Sequence, residues 1–201
     1  GGRGASSTIP ALLERQGLNI TSVVNAYDDG KSTGEIRKFF GMLGPSDIRK
    51  VQELMLPRDD VDYQKNLKLF QYRFPLDIER SEVLPQLQAF ADKTREDVVD
   101  ISIESAKVRE ILQIFVGEFL SGLDIIERVN NEYFDFSDCS IMNCIYAGAF
   151  LACNRNIEQA TISIDRLFKL RGTVLPTSIE DKKLVAQREN GQILYSEAEI
   201  V

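Results

Sequence analysis

Two kinds of apolar run divide this 201-residue chain. Leu18–Ala26 is short and holds Ile20, Val23, Val24 and the β-branched Thr21, so it reads as a strand. From Lys107 to Asn130 the spacing is helical instead. Val108, Ile111, Leu112, Phe115, Phe119, Leu123, Ile126 and Val129 recur every three or four residues and mark one apolar face. The plain reading is a helix packed on a core; a flavin or coenzyme slot is the rarer alternative. Shorter helices are predicted over Thr8–Gln16, Thr33–Phe40, Asp47–Leu56, Ser81–Ala91 and Asn156–Leu170. Ser46 would cap the third of these and Pro57 would end it. Cys139–Cys153 is almost wholly apolar and contains Ala147 and Gly148, which predicts a buried helix in close contact with its neighbours. Lys183–Gln187 and Gln192–Ser196 flank Asn190-Gly191, a hairpin signal.

These elements suggest a Rossmann-like α/β fold: a parallel sheet in three layers, a helical insertion, and a small β-hairpin near the C-terminus. One domain is expected, with residues 1–57 carrying the ligand loops, 80–136 the helical insertion and 139–201 core helices and the hairpin. An acidic loop, Arg58–Asp62, separates the first part from the rest. No repeat or low-complexity segment interrupts the chain.

Composition narrows the function. The net charge of −7 argues against a nucleic-acid partner, which needs a broad basic face. No long uncharged apolar stretch suggests a membrane span. There is no histidine, so neither a Ser-His-Asp triad nor a histidine zinc site can be built from this chain alone. Cys139, Cys144 and Cys153 form no Cys-x-x-Cys pair and lie in an apolar segment. They read as small buried residues in a reducing, cytoplasmic setting.

The chemistry concentrates in Tyr27–Arg37, Y-D-D-G-K-S-T-G-E-I-R, placed between the first strand and a helix. That is where open α/β sheets bind ligands. Backbone N–H groups at a helix start attract anions, Lys31 adds a positive charge, Gly30, Ser32 and Thr33 suit phosphate, and Asp28 and Asp29 can hold a divalent cation. The ATPase P-loop is the rarer alternative, because Asn25 stands where that motif needs a glycine and two acids stand where its phosphate cradle should be. A plain turn at Asp28-Asp29-Gly30 with Thr33 as a helix cap is the competing reading. A second glycine cluster, Gly1-Gly2-Arg3-Gly4-Ala5-Ser6, precedes the first helix and then the strand. It fits a βαβ unit whose first strand has been cut off, although such a cluster can also be an artificial extension.

Taken in order, Gly1-Gly2-Arg3-Gly4-Ala5-Ser6, Tyr27–Arg37, Pro45-Ser46-Asp47-Ile48-Arg49-Lys50, Phe70–Phe74, Ser140-Ile141-Met142-Asn143 and Gly172–Pro176 followed by Glu180-Asp181 resemble the motifs of the 2-phospho-L-lactate transferase (CofD-like) family. The match is closest to its gluconeogenesis-factor branch. Lys31, Lys50 and Met142 replace residues usual in that branch, and Asp138-Cys139 stands where a Gly-His pair is frequent. A later Gly-Pro-Gly-Ser segment of the family is absent, so the resemblance covers about the N-terminal two-thirds of such a protein.

The resemblance implies a diphosphate-bearing nucleotide metabolite of uridine or guanosine type as partner, with no nucleic acid and no membrane, and leaves a homodimer open. Gly2, Arg3, Gly4 and Ser6 would contact phosphate alongside Gly30, Lys31, Ser32 and Thr33. Asp47, Arg49 and Asn143 would line a second wall. For Asp47 and Arg49 an internal ion pair is the alternative, and for Asn143 a polar packing contact. Asp28 and Asp29 would be the catalytic and magnesium-binding acids if the protein transfers a phospholactyl group from a guanylylated donor to a deazaflavin acceptor. In the regulatory branch the same loops would hold a nucleotide-sugar without turnover.

Overall fold

The computed structural model describes residues 4–28, 30–180 and 185–195. Helices α1 (Ala5–Leu13), α2 (Lys31–Phe40), α3 (Ser46–Leu54), α4 (Tyr63–Gln71), α5 (Arg80–Ala91), α6 (Ala106–Asn130), α7 (Ile141–Ala152) and α8 (Ile157–Leu167) form most of it. Strands β1 (Thr21–Val24) and β4 (Thr173–Pro176) pair in parallel, from Thr21 opposite Thr173 to Val24 opposite Pro176. Two short antiparallel pairs complete the strands: β2 (Asp97–Val98) with β3 (Ile101–Ser102), and β5 (Ala186–Gln187) with β6 (Ile193–Leu194).

The α/β class is therefore as expected, with a parallel sheet of two strands among the described residues. The broader three-layer sheet is not formed by them. β1 is shorter than the apolar run predicts: Leu18 and Val23 stay exposed, and only Val24 and Ala26 of the run are fully covered. α1 starts three residues earlier than predicted and ends earlier, at Leu13, before a turn with Gly17 at φ +78°. Where the C-terminal hairpin is predicted, the described residues form the two-residue antiparallel pair β5–β6. Its loop closes with Gly191 in the left-handed region, at φ +84°, while Asn190 keeps a negative φ. The outer parts of its predicted strands, Lys183, Leu184 and Ser196, lie outside the described residues.

α7 is the central element. Every residue from Ile141 to Phe150 is buried. It crosses α6 so closely that a Cβ built on Gly148 would stand 1.7 Å from the Phe115 carbonyl oxygen. A mid-helix glycine sacrifices about 1 kcal/mol of helix propensity relative to alanine; backbone contact with α6 is what that sacrifice allows. Beyond this crossing Phe39, Phe119, Phe134 and Phe136 meet edge to face, a favourable arrangement for ring quadrupoles.

On the other side of α7 lies a buried polar network. Tyr146 donates its hydroxyl to Gln52 Oε1, and Gln52 Nε2 donates to Asp165 Oδ1 at 2.6 Å. Asp165 Oδ2 accepts the Val174 backbone N–H at 3.0 Å, which fastens α8 to β4. Burial pushes the Asp165 carboxyl up to about 6, against the opposing pull of the Val174 and Gln52 hydrogen bonds. An acid whose folded pKa is raised holds its proton more tightly in the folded state, so its contribution is complete below about pH 4 and is lost as pH rises through 6. That loss is on the order of 3 kcal/mol for a shift of this size. Asp165→Asn can keep both bonds if the Gln52 amide turns over. Chemical denaturation between pH 4 and 7 should therefore show a stability decline in the native protein that is flattened in Asp165→Asn. Parallel pH profiles in the two would overturn this reading.

Candidate functional site

Beyond the carboxyl end of β1 the segment Asn25–Asp28 leads to Gly30 at the start of α2. Several contacts hold it. Asp28 Oδ1 accepts the Gly30 N–H at 3.0 Å, and Asp28 Oδ2 accepts the Thr33 hydroxyl at 3.4 Å. Arg37, nearly buried, donates to the Tyr27 carbonyl at 2.8 Å and the Asp28 carbonyl at 3.3 Å. Gly44 N–H reaches the Ala26 carbonyl at 2.9 Å. A Cβ on Gly44 would stand 2.5 Å from the Asp28 carbonyl oxygen and 2.6 Å from Thr33 Cγ2, so only glycine lets the α2–α3 connection lie against the loop.

The N-termini of α2, α3 and α7 meet here. Asn143 Nδ2 donates to Ser32 Oγ at 3.1 Å and to Ser46 Oγ at 3.3 Å. The Ser140 backbone N–H also reaches Ser32 Oγ, at 3.3 Å, and Thr33 and Ser46 share a short hydroxyl contact. Ser32, Thr33, Ser46, Ser140 and Asn143 are all buried. None of the three helices has a side-chain N-cap. α1 and α4 also lack one, whereas α6 is capped by Ser105 and α8 by Asn156; it is the convergence of α2, α3 and α7 that sets their starts apart. An uncapped helix start leaves backbone N–H groups and the positive end of the dipole available to an anion. Ser140 Oγ and Asn143 Oδ1 are buried without a hydrogen-bond partner, an arrangement with a cost unless a further group completes it.

The predicted site residues divide accordingly. Ser32, Thr33, Asn143 and Asp28 come together, with Gly30 at the start of α2 and Lys31 as that helix's first residue. Thr33 lies inside α2 rather than capping it, and Ser46 is the first residue of α3 rather than its cap, Pro45 occupying that position. Asp47 pairs with Lys50 at 3.0 Å, and Arg49 lies 3.7 Å from Glu53 while donating to the Phe70 carbonyl. The internal Asp47–Arg49 ion pair is therefore replaced by separate partners. Burial is the main influence on the Arg49 guanidinium and lowers its pKa from the ordinary value. Gly4 and Ser6 sit at the exposed start of α1. Gly2, Arg3 and Asp29 lie outside the described residues. No group of three acidic or cysteine side chains that could hold a metal occurs among the described residues, and Asp28 is already committed to Gly30 and Thr33.

Sequence reasoning missed the parts played by Arg37, Gly44, Ser46 and Ser140. All four stand in or beside the family-like motifs, so proximity to a signature was the available signal; their contacts depend on residues far along the chain.

The fold and this cluster define an α/β protein with helix N-termini gathered beyond the carboxyl end of a parallel strand. The chain belongs to the CofD family: the family model described as 2-phospho-L-lactate transferase CofD matches residues 1–201. A gluconeogenesis factor of Listeria monocytogenes is 38% identical over 77 residues, covering 37% of this chain and 23% of that protein. A putative gluconeogenesis factor of Aquifex aeolicus is 25% identical over 203 residues, covering 100% of this chain and 43% of that protein. The chain thus spans less than half the length of these relatives. Among solved structures, a member of the UPF0052 family from Bacillus halodurans superposes with a TM-score of 0.59 at 21% identity, covering 99% of this chain and 44% of that one.

Proposed function

We propose that the cluster of Asp28, Ser32, Thr33, Ser46, Ser140 and Asn143 binds the phosphate end of a nucleoside diphosphate derivative, of uridine or guanosine type, in the cytoplasm. One observation carries this reading: three helix N-termini without side-chain caps converge on buried hydroxyl and amide groups, two of whose polar atoms lack partners. Helix N-termini supply backbone donors and a favourable potential for phosphate. Ser32 and Asn143 hold the helices in register, Arg37 clamps the loop carbonyls, and Lys31 adds charge at the start of α2.

The geometry favours binding without turnover. Asp28 is engaged as a loop brace, which suits a positioning role better than that of a catalytic acid or magnesium ligand. The relatives are named as gluconeogenesis factors, not as transferases; the ligand we assign to such a regulator is a nucleotide-sugar. The second reading is group transfer, favoured by the description of the family model: a metal-assisted phospholactyl transfer from a guanylylated donor to a deazaflavin alcohol, with Asp28 and Asp29 as the acids.

Calorimetry on the full-length protein with a uridine diphosphate sugar and with a guanosine diphosphate derivative, with and without magnesium, tests both. Binding of one class in about the micromolar range is expected. Absence of heat and of thermal shift with every ligand would refute the shared site. Product formation from an activated phospholactate and a deazaflavin alcohol would replace the regulator by the transferase.

A further inference from the structure

Two of the three cysteines are neighbours. Cys139 and Cys144 lie with their sulfurs 3.8 Å apart, both buried, while Cys153 is only partly covered and faces Ser163. Cys139 is the residue just before the α7 cap position held by Ser140, and Cys144 is the fourth residue of the helix. These are the two positions that an apolar staple joins at a helix start. Here the staple is a pair of thiols, placed where Ser140 and Asn143 hold Ser32.

We propose that Cys139 and Cys144 form a reversible dithiol–disulfide pair, oxidised by a hydroperoxide, at the start of α7. The surroundings equip Cys139 as the attacking sulfur. Its thiol is drawn below the ordinary cysteine value, first by the hydrogen bond from Cys144, and further by Ser32 and the Arg73 charge, against the cost of burial. Burial pushes the Cys144 thiol up, so it remains protonated. A thiolate, not a thiol, is the nucleophile toward peroxide. Arg73 also binds Asp138, the residue before Cys139, through Nε at 2.7 Å; both side chains are about two-fifths exposed. Cys139, itself buried, therefore follows directly on a surface ion pair.

The electrons balance in two steps. The Cys139 thiolate attacks the peroxide O–O bond, which breaks, giving a sulfenic acid and an alkoxide or hydroxide that takes a proton. The Cys144 sulfur then attacks that sulfenic sulfur. The S–S bond forms, the S–O bond breaks, and hydroxide leaves as water with the Cys144 proton. The thiol pair has lost two electrons and the peroxide has gained them. A disulfide is shorter than the present separation, at about 2.05 Å, so closure draws the Cys139 and Cys144 sulfurs together across the start of α7.

The test uses the full-length protein in a Cys153→Ser background, treated with hydrogen peroxide and analysed by intact mass and non-reducing peptide mapping. The expected result is loss of two hydrogen atoms, a Cys139–Cys144 cross-linked peptide, and full reversal by dithiothreitol. Cys144→Ser should instead leave a Cys139 sulfenic acid that dimedone captures. Unchanged thiols at both positions, or only irreversible oxygen addition, would overturn the proposal. Should either variant fail to fold, peptide mapping of the protein with all three cysteines intact separates the same outcomes.

Discussion

Gly148→Ala is expected to be the most damaging small substitution in the described core. The added methyl would lie 1.7 Å from the Phe115 carbonyl oxygen and 2.6 Å from the carbonyl carbon. Both atoms belong to helix backbone, so relief requires α6 and α7 to separate. Overpacking a tight core commonly costs about 1–3 kcal/mol, occasionally more, and backbone-on-backbone interference belongs at the upper end. Against a typical domain stability of about 5–15 kcal/mol, the variant should lose about 3 kcal/mol or more, or fail to accumulate. Gly117→Ala is the control. It lies in α6, and its added methyl would be no closer than 3.9 Å to Ala91 Cβ. The gain in helix propensity there should leave stability unchanged or raise it by up to about 1 kcal/mol. Urea unfolding of both variants measures the difference. Equal stabilities would mean that the close α6–α7 crossing does not exist.

Asn143→Leu should combine a stability loss with loss of ligand binding. The substitution keeps the branching and heavy-atom count of the side chain, with two bulkier methyls, and removes its two donated hydrogen bonds, to Ser32 and Ser46. Both hydroxyls are buried, so each is left short of a partner, at about 1–3 kcal/mol apiece when nothing replaces it. A total of about 2–6 kcal/mol is expected from the two, read as a lower midpoint in thermal or urea unfolding. The same change unties the starts of α2, α3 and α7, so affinity for the nucleoside diphosphate ligand should fall at least tenfold at temperatures where the variant is folded. Retained affinity in a folded Asn143→Leu protein would show that the amide serves packing alone.

The legible part of the fold is the part written in local periodicity. The stripe from Val108 to Val129 does become α6, with Leu112, Phe115, Phe119 and Leu123 buried; Val129 lies exposed near its end. The apolar segment around Gly148 does become a buried helix. Less legible is the β2–β3 turn, where Val99 and Asp100 take φ of +46° and +61°. A β-branched residue in that region is unfavourable, and no Asn-Gly or Asp-Gly signal marks the turn. Two ion pairs from Arg95, to Asp97 and Asp100, support it instead. α4 is equally hard to see in the sequence, because Tyr63–Gln71 carries only a thin apolar stripe, with Leu69 and Phe70 alone fully buried.

The candidate site divides in the same way. Asp28, Gly30, Ser32 and Thr33 can be selected from the sequence, since a strand, a polar glycine loop and a helix succeed one another within a few residues, and hydrogen-bonding chemistry at a helix start depends on local order. What Asp28 does with its carboxylate, why position 44 is glycine, and why Asn143 matters are tertiary facts. Asn143 stands 111 residues from Ser32 and 97 from Ser46. Local spacing determines which face of each helix is apolar and where each helix can begin. It does not determine which helix starts are brought together. That was decided by the close packing of α7 on α6, by the parallel pairing of β1 with β4, and by the Gly44 backbone lying against the Asp28 loop, all of which depend on burial summed over segments far apart in the chain.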